Sequence, residues 1–193
     1  MLFDLQKPEI PKIEGLRYCS NFISGKEQDV LLAQIDSQPW LNDLKRRVQH
    51  YGYKYDYKAR NVVASSYLGE LPIWLAPLQN GLLSQGIFKD YPNQAIVNEY
   101  LPGQGISAHI DCVPCFGDVI ASLSLGSDCM MQLSRGDVRR DVFLEKCSLI
   151  ILSGDARYVW QHGIPARKSD VVGGLKLERQ RRVSVTFRTV TVP

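Results

Sequence analysis

Long apolar runs are missing from this chain, and histidine is scarce, with three in 193 residues. No window approaches the roughly 18 consecutive apolar residues of a membrane-spanning helix, so no membrane partner is expected. The first residues show no basic segment leading into an apolar stretch, which reads against a secretory signal and toward a cytoplasmic protein. The five cysteines are an odd number and are scattered, which argues against a disulfide framework and for a reducing compartment. Charge of one sign is also in short supply: the formal net charge is only +3. Local basic clusters at Lys45-Arg46-Arg47, Arg135 with Arg139-Arg140, Arg167-Lys168 and Arg179 with Arg181-Arg182 nonetheless permit a polyanionic partner. Internal repeats and low-complexity segments are absent, excluding solenoids and tails.

What is present is enough apolar sequence to close one core, and a single monomeric domain over 1–193 is expected. Residues 1–17 read as an extended arm. A helix should begin at Ser24, which can cap while Glu27 completes a capping box, and run through Val30, Leu31 and Ile35 to Pro39. Strands and loops follow from Trp40 to Leu71, with the aromatics of "HYGYKYDY" alternating at period two. A second helix is expected after Pro72, through Trp74, Leu75, Leu78 and Leu82-Leu83, ending near Gly86. From residue 94 onward short apolar runs alternate with turns: "AIVNEYL", "VIASLSLG", "CMMQLS", "VFLEK", "SLIILSG", "YVWQHGI" and "RRVSVTFRTVTV". Many short strands at this spacing predict a mainly β protein with supporting helices, a double-sheet jelly roll over 94–190 preceded by an N-terminal extension over 1–93.

The stretch "NEYLPGQGISAHIDC" spends one of the three histidines two residues before an aspartate. On a strand, positions i and i+2 share a face, so His109 and Asp111 can aim an imidazole and a carboxylate at one point. A third metal ligand would come from a distant strand, and the two remaining histidines, His50 and His162, are the candidates. His162 follows the strand "SLIILSG", which would return to the same interior. Two histidines and one carboxylate leave coordination positions open, the arrangement suited to non-haem Fe(II) oxygen chemistry. In "RVSVTFR", Arg182 and Arg188 stand six apart on one strand face with Ser184 and Thr186 between. Guanidinium groups turned into an interior demand a buried anion, and a dicarboxylate would supply it through bidentate pairing.

"NEYLPGQGISAHID", "HGI" and "RVSVTFR" in this order, with "SGDARYVWQHGI" approaching the distal histidine, resemble the AlkB family of Fe(II)- and 2-oxoglutarate-dependent dioxygenases across residues 94–190. The resemblance implies a double-stranded β-helix in which His109, Asp111 and His162 bind iron. It further implies that Asn98 and Tyr100 contact 2-oxoglutarate, that Arg182 holds its distal carboxylate beside Ser184, and that Arg188 lies near cosubstrate and substrate. Oxidative decarboxylation of 2-oxoglutarate by O2 would then drive oxidation of a substrate C–H bond.

For the substrate, the resemblance implies nucleic acid, single-stranded DNA or RNA. The segment holding Lys45-Arg46-Arg47, Tyr51, Tyr53, Tyr55, Tyr57, Lys58 and Arg60 has the cations and stacking rings of a nucleotide-recognition lid. Arg135 matches, in a loop, an arginine that some members place near substrate. Tyr51, Tyr53, Arg60 and Arg135 are therefore the expected substrate contacts. Demethylation of alkylated bases in DNA or RNA repair and hydroxylation of a modified base in tRNA both fit. "YLPGQGISAHID", "SLSLGS" and "RYVWQHGI" are most similar to the tRNA wobble-uridine hydroxylase type. Oxidation of a protein side chain and a non-catalytic jelly-roll binding module are the alternatives. Cys112 and Cys115 form a lone C-x-x-C without a second pair for zinc, and read as two loop thiols.

Overall fold

The computed structural model describes residues 6–42 and 44–191 of the chain. The order of elements is β1 (Leu16–Cys19), α1 (Gly25–Asp36), β2 (Val48–Tyr51), α2 (Ala76–Ser84), β3 (Gln94–Tyr100), β4 (Ile106–His109), β5 (Phe116–Gly126), β6 (Cys129–Arg135), β7 (Val138–Leu144), β8 (Leu149–Leu152), α3 (Gly154–Tyr158), β9 (Gln161–Ile164), β10 (Ser169–Val172), β11 (Leu175–Glu178) and β12 (Arg182–Val190). The strands form a six-stranded sheet in the order β1-β8-β5-β12-β3-β2, a four-stranded sheet β4-β9-β6-β7, and a separate hairpin β10-β11. Neighbours in both sheets run antiparallel. The expected mainly β, double-sheet architecture with supporting helices is therefore what the chain adopts.

The pleat of β12 explains the layering. Val183, Val185 and Phe187 point to one side, where Leu31 and Ile35 of α1 and Leu78 and Leu82 of α2 complete an apolar cluster. Arg182, Ser184, Thr186 and Arg188 point to the other side, toward the four-stranded sheet. The neighbouring strands obey the same rule: Leu149 and Ile151 of β8 join the helix-side cluster. Ile150 and Leu152 join a second cluster between the sheets with Met131, Leu133, Val142 and Leu144. The result is three layers, helices on sheet on sheet, with a row of polar groups along β12 facing the inner layer.

The capping box at Ser24 forms as expected: its hydroxyl accepts from the Glu27 N–H at 3.2 Å while the Glu27 carboxylate accepts from the Ser24 N–H at 2.7 Å. The buried stripe of α1 differs from expectation. It is Gln28, Leu31 and Ile35, and Val30 is 64% exposed. Gln28 takes an inward position because its side-chain oxygen accepts from the Gly126 N–H at 3.0 Å, satisfying the backbone where β5 ends. The second helix begins with a 3₁₀ turn, Ile73–Leu75, that passes into α2 with a proline in its first turn.

The tyrosine-rich segment does not form the period-two strand its pattern suggested. β2 stops at Tyr51 because Gly52 adopts φ +78°, and a side chain there would collide with the Asn93 carbonyl. The chain turns, so the aromatics after Gly52 lie on different surfaces from Tyr51.

Replacing Ser24 with alanine removes one cap in the helix layer, on the opposite face of the larger sheet from the cavity-lining polar groups. It should lower unfolding free energy by about 1 kcal/mol, read as a lower denaturant midpoint at unchanged m-value, with no change in metal binding.

Candidate metal and cosubstrate centre

β4 and β9 are neighbours in the four-stranded sheet, and their register sets His109 opposite His162 with ring centroids 4.4 Å apart. The approach is close because of Gly163: a Cβ there would come within 2.8 Å of the Ala108 backbone nitrogen. Asp111 lies just beyond the end of β4, so it reaches the histidines from a loop and not through the pleat of a continuous strand. Its Oδ1 is 3.5 Å from His109 Nε2, and ligand atoms of His109, Asp111 and His162 all lie within 4.8 Å of one another. His109 Nδ1 is 2.8 Å from the Ser107 carbonyl. A carbonyl can only accept, so Nδ1 carries the proton and the Nε2 lone pair is left for a metal. His50, the other candidate, belongs to β2 of the opposite sheet, where its Nδ1 accepts from the Tyr55 N–H at 3.4 Å and its ring lies 5.5 Å from Tyr57.

The protonation states suit metal binding. Burial pushes the Asp111 carboxyl upward, but Arg188, the His109 contact and His162 outweigh it and hold the group well below the usual carboxylate range. Arg188 Nε donates to Asp111 Oδ2 at 3.0 Å, and its Nη1 donates to Gln94 at 3.3 Å. Burial pushes His162 down to about 4, so its imidazole is neutral near pH 7, the form that ligates.

The loop that carries Asp111 is tied down twice by groups whose roles the sequence pattern did not reveal. Arg157 of α3 is 2% exposed. Its Nη1 donates to the Asp111 carbonyl at 2.9 Å and its Nη2 to the Cys112 carbonyl at 3.2 Å. Its position inside "SGDARYVWQHGI" was the available signal. Cys112 and Cys115 are joined as a disulfide, against the expectation of two free loop thiols. A turn in which the Cys115 N–H donates to the Cys112 carbonyl brings the Cα atoms to 5.3 Å, within bonding range.

Behind the three ligands lies a cavity lined by Asn98, Tyr100, Arg182, Ser184, Thr186 and Arg188, which the structure thus brings together. Arg182 Nη2 donates to Ser124 Oγ at 2.8 Å, and the Tyr100 ring centroid is 5.5 Å from its guanidinium carbon. Arg182 Nε and Nη1 are buried with no hydrogen-bond partner. A guanidinium left in that condition is an anion site, since desolvating it without a counter-charge is costly. Two histidines and a carboxylate beside an orphaned guanidinium are a donor set that fits Fe(II) and a dicarboxylate.

The expected substrate contacts divide. Tyr51 turns away from the cavity: its hydroxyl donates to Gln49 at 2.9 Å and its ring packs edge-on to Trp74 on the helix side, the side its strand partner Ala95 also faces. Tyr53 is half-buried with its ring 5.0 Å from Tyr67. Arg60 is exposed in a turn at φ +55°. Arg135 is at the surface, 3.6 Å from Asp155. Two other aromatics stand beside the centre: Tyr55, 5.9 Å from Phe116, whose ring lies 4.8 Å from the Arg188 guanidinium carbon, and Tyr57, 5.2 Å from Tyr55, whose hydroxyl is buried without a partner and is pushed by burial up to about 12. Arg46 joins them, 5.8 Å from the Tyr57 ring.

Comparison with known proteins gives a consistent picture. Residues 15–188 match the 2OG-Fe(II) oxygenase superfamily, beginning well ahead of the motifs. The chain is 37% identical over 206 residues to the "Alkylated DNA repair protein ALKBH8 homolog" of Arabidopsis thaliana, covering 92% of this chain and 59% of that protein. It is 38% identical over 204 residues to the "tRNA (carboxymethyluridine(34)-5-O)-methyltransferase ALKBH8" of Macaca fascicularis, covering 91% of this chain and 30% of that protein. The chain thus spans well under two thirds of the length of these two relatives. Among solved structures, that of OsALKBH1 superposes with a TM-score of 0.67 at 18% identity, covering 94% of this chain and all of that one.

The depressed pKa of His162 makes a stability prediction for the metal-free protein. An unfolded histidine takes a proton near 6.5, which the folded one refuses until about 4. Stability is therefore full above about 6.5 and falls as pH drops through that window. Melting temperature should decrease from pH 7 to pH 5, and His162→Gln should flatten that decrease.

Proposed function

The chain belongs to the 2OG-Fe(II) oxygenase superfamily, as an AlkB-like dioxygenase, and we propose that it oxidises a base in single-stranded nucleic acid, with a modified base of tRNA as the first candidate. The observation that carries the chemistry is the convergence of His109, Asp111 and His162 beside the unpaired nitrogens of Arg182. Fe(II) with 2-oxoglutarate and O2 supplies the oxidant, yielding succinate and carbon dioxide and leaving one oxygen atom for a substrate C–H bond.

The residues of the chain then have distinct tasks. His109, Asp111 and His162 hold the metal. Arg182 pairs with the distal carboxylate of 2-oxoglutarate, helped by Tyr100 and Ser184, while Asn98 offers a further polar contact. Arg188 keeps Asp111 ionised and oriented through the bond at 3.0 Å. The cluster of Tyr55, Tyr57 and Arg46 beside the centre supplies the aromatic and cationic character that receives an extruded base.

The charge of the loop after Asp111 bears on which base enters. Methylation at a ring nitrogen of adenine or cytosine leaves a cationic base, which a pocket recognises best with a carboxylate. Here the segment from Cys112 to Gly117 has none, and Asp118 is engaged by the Tyr158 hydroxyl at 2.9 Å. A neutral base such as a substituted uridine suits this loop better. The ALKBH8 relatives, one of them named for a carboxymethyluridine of tRNA, support the same choice. Demethylation of an alkylated base is the second reading, supported by the DNA-repair name of the plant relative.

The test is mass spectrometry of tRNA and of alkylated single-stranded DNA after incubation with anaerobically loaded Fe(II) protein, 2-oxoglutarate and then air, beside a His109→Ala control. A gain of one oxygen on a uridine derivative is expected. Loss of a methyl group with formaldehyde would select the second reading, and no succinate above the control would defeat both. Arg182→Met should raise the 2-oxoglutarate requirement roughly 10- to 100-fold, the loss of charge-assisted hydrogen bonds, with the substrate requirement little changed.

A further inference from the structure

Arg46 stands between α1 and β2, outside the metal ligands and outside every motif that carries the family resemblance. Its Nε donates to Asn98 Oδ1 at 2.8 Å. Its guanidinium carbon lies 5.8 Å from the ring centroid of Tyr57 and 5.9 Å from that of Tyr100. Asn98 and Tyr100 both line the cavity behind the metal ligands. One half-buried side chain therefore meets two residues of the cavity wall and the Tyr57 ring beside them.

A primary amide has opposite chemistry at its two ends, an acceptor oxygen and a donor NH2, and a half-turn exchanges them. A guanidinium has only N–H groups to offer. The end of Asn98 that meets Arg46 must therefore be the oxygen, and the NH2 is the end left to the cavity; among the described residues it donates to no protein acceptor. Turned the other way, Asn98 would set an oxygen lone pair against any carboxylate placed there and leave Arg46 Nε unbonded.

We propose that Arg46 is a positioning residue for the cosubstrate: by holding the oxygen of Asn98 it fixes the amide with its NH2 toward the cavity, and so sets the affinity for a carboxylate there. Arg46 acts through Asn98, without touching the carboxylate itself. The inference rests on the reading of this cavity as the 2-oxoglutarate site. It also gives that site a dependence on the tyrosine cluster, because the guanidinium that orients Asn98 lies against Tyr57.

The test is a double-substitution cycle read by equilibrium binding. 2-Oxoglutarate is titrated anaerobically into the Fe(II)-loaded protein by calorimetry, without turnover, for the wild type, Arg46→Met, Asn98→Ala, the double variant and Arg46→Lys. Arg46→Met should weaken binding roughly tenfold, the loss of one hydrogen bond to a charged group. In the Asn98→Ala background the same change should cost less than about twofold, because the group it orients is gone. Arg46→Lys, which retains a donor, should recover most of the affinity. Equal losses from Arg46→Met in both backgrounds would mean that Arg46 acts by its own charge and would overturn the proposal. Unchanged affinity in Arg46→Met would also overturn it. Failure of the wild type to bind 2-oxoglutarate would overturn the site reading itself, an outcome separate from either.

Discussion

A guanidinium cannot be taken out of water without something negative beside it, and this protein places two of them on the central strand of its larger sheet. Arg182 and Arg188 are 3% and 9% exposed, and they face the same interior. Arg188 has its counter-charge in Asp111, which the arginine keeps ionised despite burial. Arg182 has only the Ser124 hydroxyl and a tyrosine face, with two nitrogens unmet. The asymmetry decides how the inner layer is used. On the proposed function, one arginine would complete the metal site and the other would await an anionic ligand, so that the desolvation cost in the free protein would become selectivity for a carboxylate.

Holding a loop-borne ligand against two strand-borne ones requires that the loop not wander. One local device brings the strands together and two hold the loop. Gly163 lets β9 lie against β4 closely enough for the two imidazoles to converge. Arg157, buried among the carbonyls of the loop, fastens its main chain. The Cys112–Cys115 bond closes the turn that follows Asp111. Each acts on the backbone, so the side chains of the three ligands remain free to face the metal.

The legible part of this molecule was the part governed by short periodicities. The alternation in "RVSVTFR" placed four polar side chains on one face and three apolar ones on the other, as β12 shows. The capping box at Ser24 located the start of α1 because its chemistry is contained in four residues. The i, i+2 relation of His109 and Asp111 brought out the right pair, although the strand ends between them. What failed depended on a single residue interrupting a pattern: Tyr51 faces the helix side with its strand partner Ala95, and Gly52 ends β2, so Tyr53 and Tyr55 after it pack on the other side of the sheet. What was missed depended on long-range pairing. Nothing near Arg46 in sequence announces Asn98, 52 residues away. The partners of Arg157 lie 45 and 46 residues before it.

β12 pairs with β3 on one side and β5 on the other along most of its length, yet it follows every other strand in chain order. A ribosome therefore delivers the middle of the six-stranded sheet after its flanks. Until it arrives, β3 and β5 each present an open row of backbone donors and acceptors, and apolar side chains such as Val97 and Leu123 lack the neighbours that cover them. The nascent chain thus passes through an interval as two unfinished halves waiting for one insertion. That insertion closes the sheet and delivers Arg182 and Arg188 in the same step.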